Sequence, residues 1–571
     1  MMRKLVSTSL LALALATGAC KEPDPNDFQT HIAALGDAAA RASAIDTLGA
    51  LVKAMTSAGP EVDNSARIQE FVDKVIPAFE GIWDDAPESR DQILVMLYQI
   101  GRSEGANLWN KALAYDGSDA GRKLLLSACD GIAKAKAVGT VDAIIAQLEA
   151  FLQSPGKDKG PEGGEMRMAL VQALGALKDK KAVPVLSKVM EQTKENQPVA
   201  VHREAAKSLG LIRDPSAVDA LLTVTFRVPD APSTTDIGNR SKLALVSIGE
   251  PAVPRVMAML KGEHEEVNKL ATLNGVDLLV VQQTAVGILG AMGAKDAVEE
   301  LLAFMPRDGC GPKPAVDPKK AKKGKKAEPE ELNAANVSLR AFVGNSLGLI
   351  GDERASEPLC SCVNATHNPG DMFPITEALG RIGGSAAQAC LVDLVKNGEY
   401  DPETVDNSDF AKQIRWEAAR FAILVASAED MPKIKEAIEG NADAKVKENM
   451  AQWQSGITLA ETCQADKDCY LKTLKDINAE WFAREKAAYE LVRLAKGDAA
   501  VALEMAKAFK VRNADARVTM ALMIPRLLDG KRCGACADAL EAVLAGEKGS
   551  MPAEMQLAVL TMRQTVARIA E

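Results

Sequence analysis

The stretch that most restricts this chain is Arg203–Val224, REAAKSLGLIRDPSAVDALLTV. On a helix, Ala206 and Leu209 share one apolar face, and Gly210 lets the next turn pack closely. Asp214-Pro215 breaks that helix. Asp214 is placed to cap a second helix, and Pro215 is tolerated at its first position. Ala217, Val218 and Leu221 give the second helix an apolar stripe of its own. A hairpin with two inward faces cannot bury both alone, so the stretch requires similar units on either side.

Those units are present. Gly210 is followed by Ala217 and Leu221; at the same offsets Gly175 is followed by Ala182 and Leu186, Gly290 by Ala297 and Leu301, Gly348 by Ala355 and Leu359, and Gly380 by Ala387 and Leu391. In each unit a Leu precedes the Gly: Leu174, Leu209, Leu289, Leu347 and Leu379. A degenerate further copy reads Ile248-Gly249, with its turn cut short to Glu250-Pro251 before Ala252-Val253.

The hairpin, its turn Asp and its spacing resemble HEAT repeats, in particular the short subtype similar to the repeats of phycobilisome lyases. Clear copies cover about residues 165–396, and weaker ones extend the resemblance over most of the chain. The resemblance implies an all-α fold, a HEAT-type α-solenoid of roughly a dozen antiparallel hairpins. It does not imply lyase activity, because unrelated proteins share these repeats. The bulk numbers agree with this fold. A single globular core does not usually reach 571 residues, and the 4% aromatic content suits thin layers filled by Ala and Leu. The net charge of -10 argues against nucleic acid as a partner, which needs a basic footprint.

Met1–Cys20 reads MMRKLVSTSLLALALATGAC. Arg3 and Lys4 form a positive start, and Leu5–Ala16 is an apolar run too short to span a bilayer comfortably. Thr17-Gly18-Ala19 before Cys20 resembles a bacterial lipobox, with Thr17 standing where Leu is more usual. That resemblance implies a signal peptide over 1–19, acylation of Cys20 (palmitate among the acyl groups) and a lipidated tether over 20–27. Ordinary secretory cleavage is the alternative. Lys21 is not the Asp that resembles an inner-membrane retention signal, so the expected address is the bacterial cell envelope, lipid-anchored at the outer membrane. No later segment reaches about 18 uninterrupted apolar residues.

Down the chain, amphipathic helices are expected at 28–56, 64–83, 90–100, 107–114, 122–135 and 141–152, an N-terminal block over 28–164. Gln153–Gly164 and Arg227–Asn239 read as loops. Residues 306–336 are a Lys-rich insertion within the 165–396 repeats: Gly290 to Gly348 spans 58 residues where Gly175 to Gly210 spans 35. The insertion reads either as a binder of anionic lipid or an acidic partner, or as a solvated spacer. Beyond Leu391 the Leu-Gly signature fades, but helical pairs continue through 397–571 to a capping helix over 551–569.

Ten Cys are present, and export makes disulfides the default reading. Cys463 and Cys469 flank a short loop; Cys533 and Cys536 form CGAC at a helix start. Cys360 and Cys362 fall on the second helix of one hairpin and Cys390 on the second helix of the next, so one inter-repeat bridge is feasible. Cys310 is then available to the thiol left over, and which of Cys360 and Cys362 takes which partner stays open. Cys129 reads as a buried free thiol. A single CxxC without a βαβ setting supports neither zinc nor thioredoxin chemistry, so no metal and no cofactor is expected.

His264-Glu265 invites comparison with HEAT-repeat di-iron hydroxylases, but one His-Glu pair cannot build that site, and His264 reads as a polar surface residue. No nucleophile elbow or phosphate-binding loop is present. The expected role is a scaffold or assembly factor, not an enzyme, that binds other envelope proteins or peptides on its curved helical surface. The alternative is an envelope enzyme with a carboxylate-based site in the groove.

Overall fold

The computed structural model describes residues 24–571 apart from 60, 154–160, 193–195, 228–233, 309, 311–332, 364–368, 398–407, 442–443 and 548–551. The expected signal segment with Cys20, and the lysines of the insertion, lie outside the described residues. The described chain is all-α, a solenoid of helix hairpins, with no strand among the described residues. It divides into two compact units between Gln147 and Leu148.

In the first unit, the helix expected over 28–56 is two, Phe28–Leu35 and Arg41–Thr56. The break follows from Asp37, whose carboxylate accepts from the backbone N–H of Ala39 at 3.0 Å and so competes with helix continuation. Arg41 Nε donates to Leu35 O at 2.9 Å and satisfies a carbonyl at the first helix's end. Aromatic rings fill this core: Phe28 meets Phe71 edge-on at 5.9 Å, and Phe71 meets Phe79 at 6.1 Å. Arg90–Ile100 ends at Gly101, which takes the left-handed conformation at φ 65°.

The second unit contains the repeats. Their first helices include Pro161–Leu177, Val199–Ile212, Thr234–Ile248, Leu278–Met292, Ala334–Ile350 and Pro369–Ile382. Two expected loops are shorter than the sequence suggested, because Pro161 and Thr234 already start helices. Pro at a helix start has no N–H to leave unsatisfied, which offsets the Gly-rich run after it. An unexpected helix, Glu265–Leu273, stands between two hairpins.

The repeat glycines are the points of closest approach. A Cβ at Gly175 would lie 3.0 Å from Ser208 Cα, at Gly210 2.9 Å from Ala244 Cα, at Gly290 2.8 Å from Ser346 Cα, and at Gly348 2.7 Å from Ala378 Cα. Each glycine thus receives the small residue two positions before the glycine of the following first helix, or its equivalent. Where that residue is Ser, its hydroxyl bonds back across the interface: Ser208 Oγ donates to Val171 O and Ser346 Oγ to Val286 O, both at 2.9 Å. Turns are closed by Asp179, Asp214 and Asp352, each accepting from the N–H two residues on. The residue before each turn is left-handed: Lys178, Arg213, Gly293, Gly351 and Gly383.

After these repeats come Ser408–Val425, Ala444–Cys463, Trp481–Leu494 and Ala514–Leu527 as first helices, and Ala553–Ile569 ends the array. That last helix does more than cap an open end. It packs against Thr234–Ile248 and Leu278–Met292, early in the same unit. Lys178 Nζ donates to Glu571 O at 3.0 Å, and Arg532 Nη2 to Ser247 O at 3.4 Å. The second unit therefore closes on itself.

Candidate functional site

Closure of the second unit creates a cavity of about 1110 Å³. Its walls are the turns and helix ends of hairpins as far apart in sequence as Val246 and Arg568. Five arginines line it: Arg381, Arg493, Arg526, Arg532 and Arg568. Arg381, in the last turn of Pro369–Ile382, donates to Asn345 Oδ1 at 2.6 Å and to Glu377 Oε1 at 2.5 Å. Arg526 comes from Ala514–Leu527 and reaches two other helix ends, bonding Arg381 O, and Gly348 O at 2.5 Å. The carbonyls at a helix C-terminus carry partial negative charge, so Arg526 caps two helices at once. Its Nε remains buried without a hydrogen-bond partner. Arg568, in the last turn of Ala553–Ile569, lies against Gly293, and any Cβ there would collide with its guanidinium.

These groups are costly to keep charged. Burial pushes the Arg526 guanidinium down to about 10, and repulsion from Arg568 and Arg381 adds to it. Burial alone pushes Arg568 down to about 10. Tyr489, also in the wall, is pushed up to about 12 by burial first. The carboxylates of the wall do not answer Arg526 or Arg568: Glu490 is taken by Lys486 at 2.7 Å and Arg493 at 2.6 Å, Asp529 by Lys496 at 3.3 Å and Asp430 by Lys433 at 3.7 Å, while Glu250, Asp296 and Glu353 are exposed.

A second polar cluster lies beside it. Arg420 holds Glu485 through both carboxylate oxygens, at 2.9 and 2.8 Å, and Thr519 Oγ1 donates to Glu485 at 2.6 Å. Glu417 stands 3.9 Å from Arg420. Burial raises its carboxyl to about 7, against the pull of Arg420, with Glu377, Asp515 and Glu485 adding to the rise. The adjoining cavity is only about 50 Å³. It has room for water and not for a substrate.

Of the residues singled out by sequence, the cysteines are brought together. Cys310 is bonded to Cys362 and Cys360 to Cys390, so the Cys360/Cys362 ambiguity resolves in that sense. Cys463 is bonded to Cys469 and Cys533 to Cys536. Cys129 is free and buried, its thiol held well above the usual range by burial. None of these sulfurs lines the large cavity. His264 corrects the sequence reading. It is buried, not a surface group, and it caps Glu265–Leu273 by accepting from the Val267 N–H at 3.4 Å. Asp219 Oδ1 stands 3.3 Å from its other ring nitrogen. Among the described residues, no group of three or more His, Cys, Asp or Glu is placed to hold a metal. No single described helix is long and apolar enough to cross a membrane.

Sequence reasoning missed Arg381, Arg526, Arg568 and the Arg420–Glu485 pair. One signal was available: Arg484-Glu485-Lys486 interrupts a helix whose other positions are largely apolar, and all three are buried.

No curated protein matches the chain. Residues 162–230 match the family model of HEAT repeats, which covers the hairpin from which the reading of this fold began.

Proposed function

We propose that the protein is an envelope-anchored scaffold or assembly factor that binds other envelope proteins through its helical repeats. The observation that carries this reading is the match of residues 162–230 to HEAT repeats, which commonly serve as protein-interaction scaffolds. The binding surface is drawn differently from the open groove that an unclosed solenoid would offer. The last helix of the second unit covers part of Thr234–Ile248 and Leu278–Met292, so the partner meets exposed faces elsewhere. Leu273, Leu278 and Val280 are 77%, 54% and 46% exposed around one hairpin joint, an apolar patch suited to a protein contact. Photo-crosslinking from position 278 in intact cells, followed by mass spectrometry, tests this. One reproducible protein partner that disappears in Leu273→Asp/Val280→Asp supports the scaffold, and a lack of any specific adduct overturns it.

Anchoring rests on the lipobox-like Thr17–Cys20. Labelled palmitate is expected on the wild-type chain and not on Cys20→Ala; equal labelling of both removes the anchor.

A second reading, an envelope enzyme using carboxylates, draws on Glu417, whose raised proton affinity is what a general acid needs. The small cavity beside it and the full engagement of Glu485 by Arg420 and Thr519 favour a structural role instead.

A further inference from the structure

The large cavity of the second unit has a charge arrangement that scaffolding does not require. Arg568 lines the cavity and is partly exposed to it, and among the described residues no hydrogen bond or ion pair answers its guanidinium. Arg526 is near enough to be repelled by it, is drawn to Tyr489, and among the described residues is hydrogen-bonded to two carbonyls. Removing one partner of a buried charge pair is strongly destabilising because an uncompensated charge remains. Here the uncompensated charge belongs to the native structure, next to a space of about 1110 Å³. Acidic groups in the wall are either exposed or already paired with Lys433, Lys486, Arg493 or Lys496, and none of them pairs with Arg568 or Arg526. The space can admit a ligand of several hundred daltons, within the usual range of small-molecule sites or slightly above it.

The geometry points to a small-molecule site: an organic anion enters this cavity and seats an oxyanion group, carboxylate or phosphate, against Arg568 and Arg526, within reach of the Tyr489 hydroxyl. A planar guanidinium binds either oxyanion in a bidentate manner, and enclosure strengthens the contact. Arg381 contributes charge but is already committed to Glu377 and Asn345. The site exists only in the closed unit, since Arg568 arrives on the last helix and Gly293, on which it lies, on an early one. Because the cavity is internal to one unit and its ligand small, the inference stands independently of the scaffold reading.

The test uses the full chain, with pyrophosphate and citrate as probes and sodium chloride at matched ionic strength as the reference. Calorimetric titration and thermal unfolding are read for wild type, Arg568→Gln and Arg568→Lys. The expected result is saturable binding of at least one probe and a rise in unfolding temperature beyond that in chloride. Arg568→Gln weakens binding by about tenfold or more, as loss of a charge-assisted contact does. Its ligand-free unfolding temperature equals or exceeds that of wild type, because a repelled, unanswered charge has gone. Arg568→Lys keeps charge but loses the bidentate fork, so it binds at an intermediate level and keeps the inference testable if the Gln variant does not fold. Binding of pyrophosphate alone identifies a phosphate-bearing ligand, and binding of citrate alone a carboxylate. Saturable binding of neither probe overturns the inference. So does binding that both Arg568 variants leave unchanged, or an Arg568→Gln that folds but is less stable without ligand and binds as wild type does.

Discussion

Within the second unit, the repeats up to Ile382 and the hairpins from Ser408 onward solve one packing problem in two ways. In the former, first helices approach through glycine and a small residue, and their ends close locally through a left-handed residue and a turn Asp. In the latter, Asp466, Asp498 and Asn513 still cap locally, and charged side chains inside the array add further caps. Lys486 donates to Leu424 O at 3.1 Å and to Ala426 O, capping Ser408–Val425 from a different hairpin. Arg484 caps Ala499–Lys507, the second helix of its own hairpin, through Ala508 O. Arg526 reaches across to two ends in the earlier region. Local capping closes each hairpin on itself, and in the earlier repeats a buried Arg340 also ties neighbours together, through Asp371 at 2.6 Å and Asp308 O at 2.7 Å. Capping at a distance ties hairpins to one another, and it is the means by which the array closes.

The comparison breaks most sharply at the ion pair. Arg420→Met leaves Glu485 buried without its partner and is expected to cost about 3–5 kcal/mol in chemical denaturation, while Arg420→Met/Glu485→Met recovers most of the loss. A comparable loss in the double variant would show that the pair holds the region by more than charge compensation. On the repeat side, Gly348→Val places side-chain atoms where Ala378 Cα already lies at 2.7 Å from a Cβ, and about 3 kcal/mol of destabilisation is expected, without effect on the Arg420 site. An unchanged midpoint would mean that the helices need not touch there.

Glu417 sharpens the contrast by pH. Its carboxyl is raised from 4.5 to about 7, so the folded state holds that proton more tightly than the unfolded one. The associated stability is fully present below pH 4.5 and is lost as pH rises through 7. Wild type should therefore gain about 2 kcal/mol over Glu417→Gln between pH 8 and pH 5, after allowance for partial exposure. Parallel pH profiles for the two proteins would show that Glu417 is an ordinary carboxylate. The smallest effect is expected at Arg213, which holds φ 60° where the later turns have Gly293, Gly351 and Gly383. Arg213→Gly should raise stability by about 0.5–1 kcal/mol.

The repeat region was legible because its determinants are local. Leu209-Gly210, Asp214 and Ala217 lie within one hairpin, and their spacing states the fold. The helices of the later hairpins were equally legible from periodicity, but what binds them was not. Glu485 meets an arginine 65 residues away, and Lys486 carbonyls 60 and 62 residues away. A helix bearing Arg, Glu and Lys in sequence reads as solvated unless the caps it supplies elsewhere are known. The same distance in sequence hid the cavity, since Gly293 and Arg568 become neighbours only on closure. His264 was misread for a related reason: a histidine that caps a short helix from a buried position has no marker other than the helix it starts. The Asp37 break was missed because an Asp inside an apolar periodic run does not announce that its side chain has taken a backbone N–H.

Closure of residues 148–571 is the claim on which the cavity and the revised binding surface rest. It is tested most directly by pulsed electron resonance between spin labels at Lys178→Cys and Glu571→Cys in the full chain, where Cys129 is buried and the other described cysteines are bonded. The account predicts a single narrow distance at the short end of the measurable range, because Lys178 Nζ and Glu571 O are 3.0 Å apart. A long or broadly spread distance would contradict it and would restore an open array.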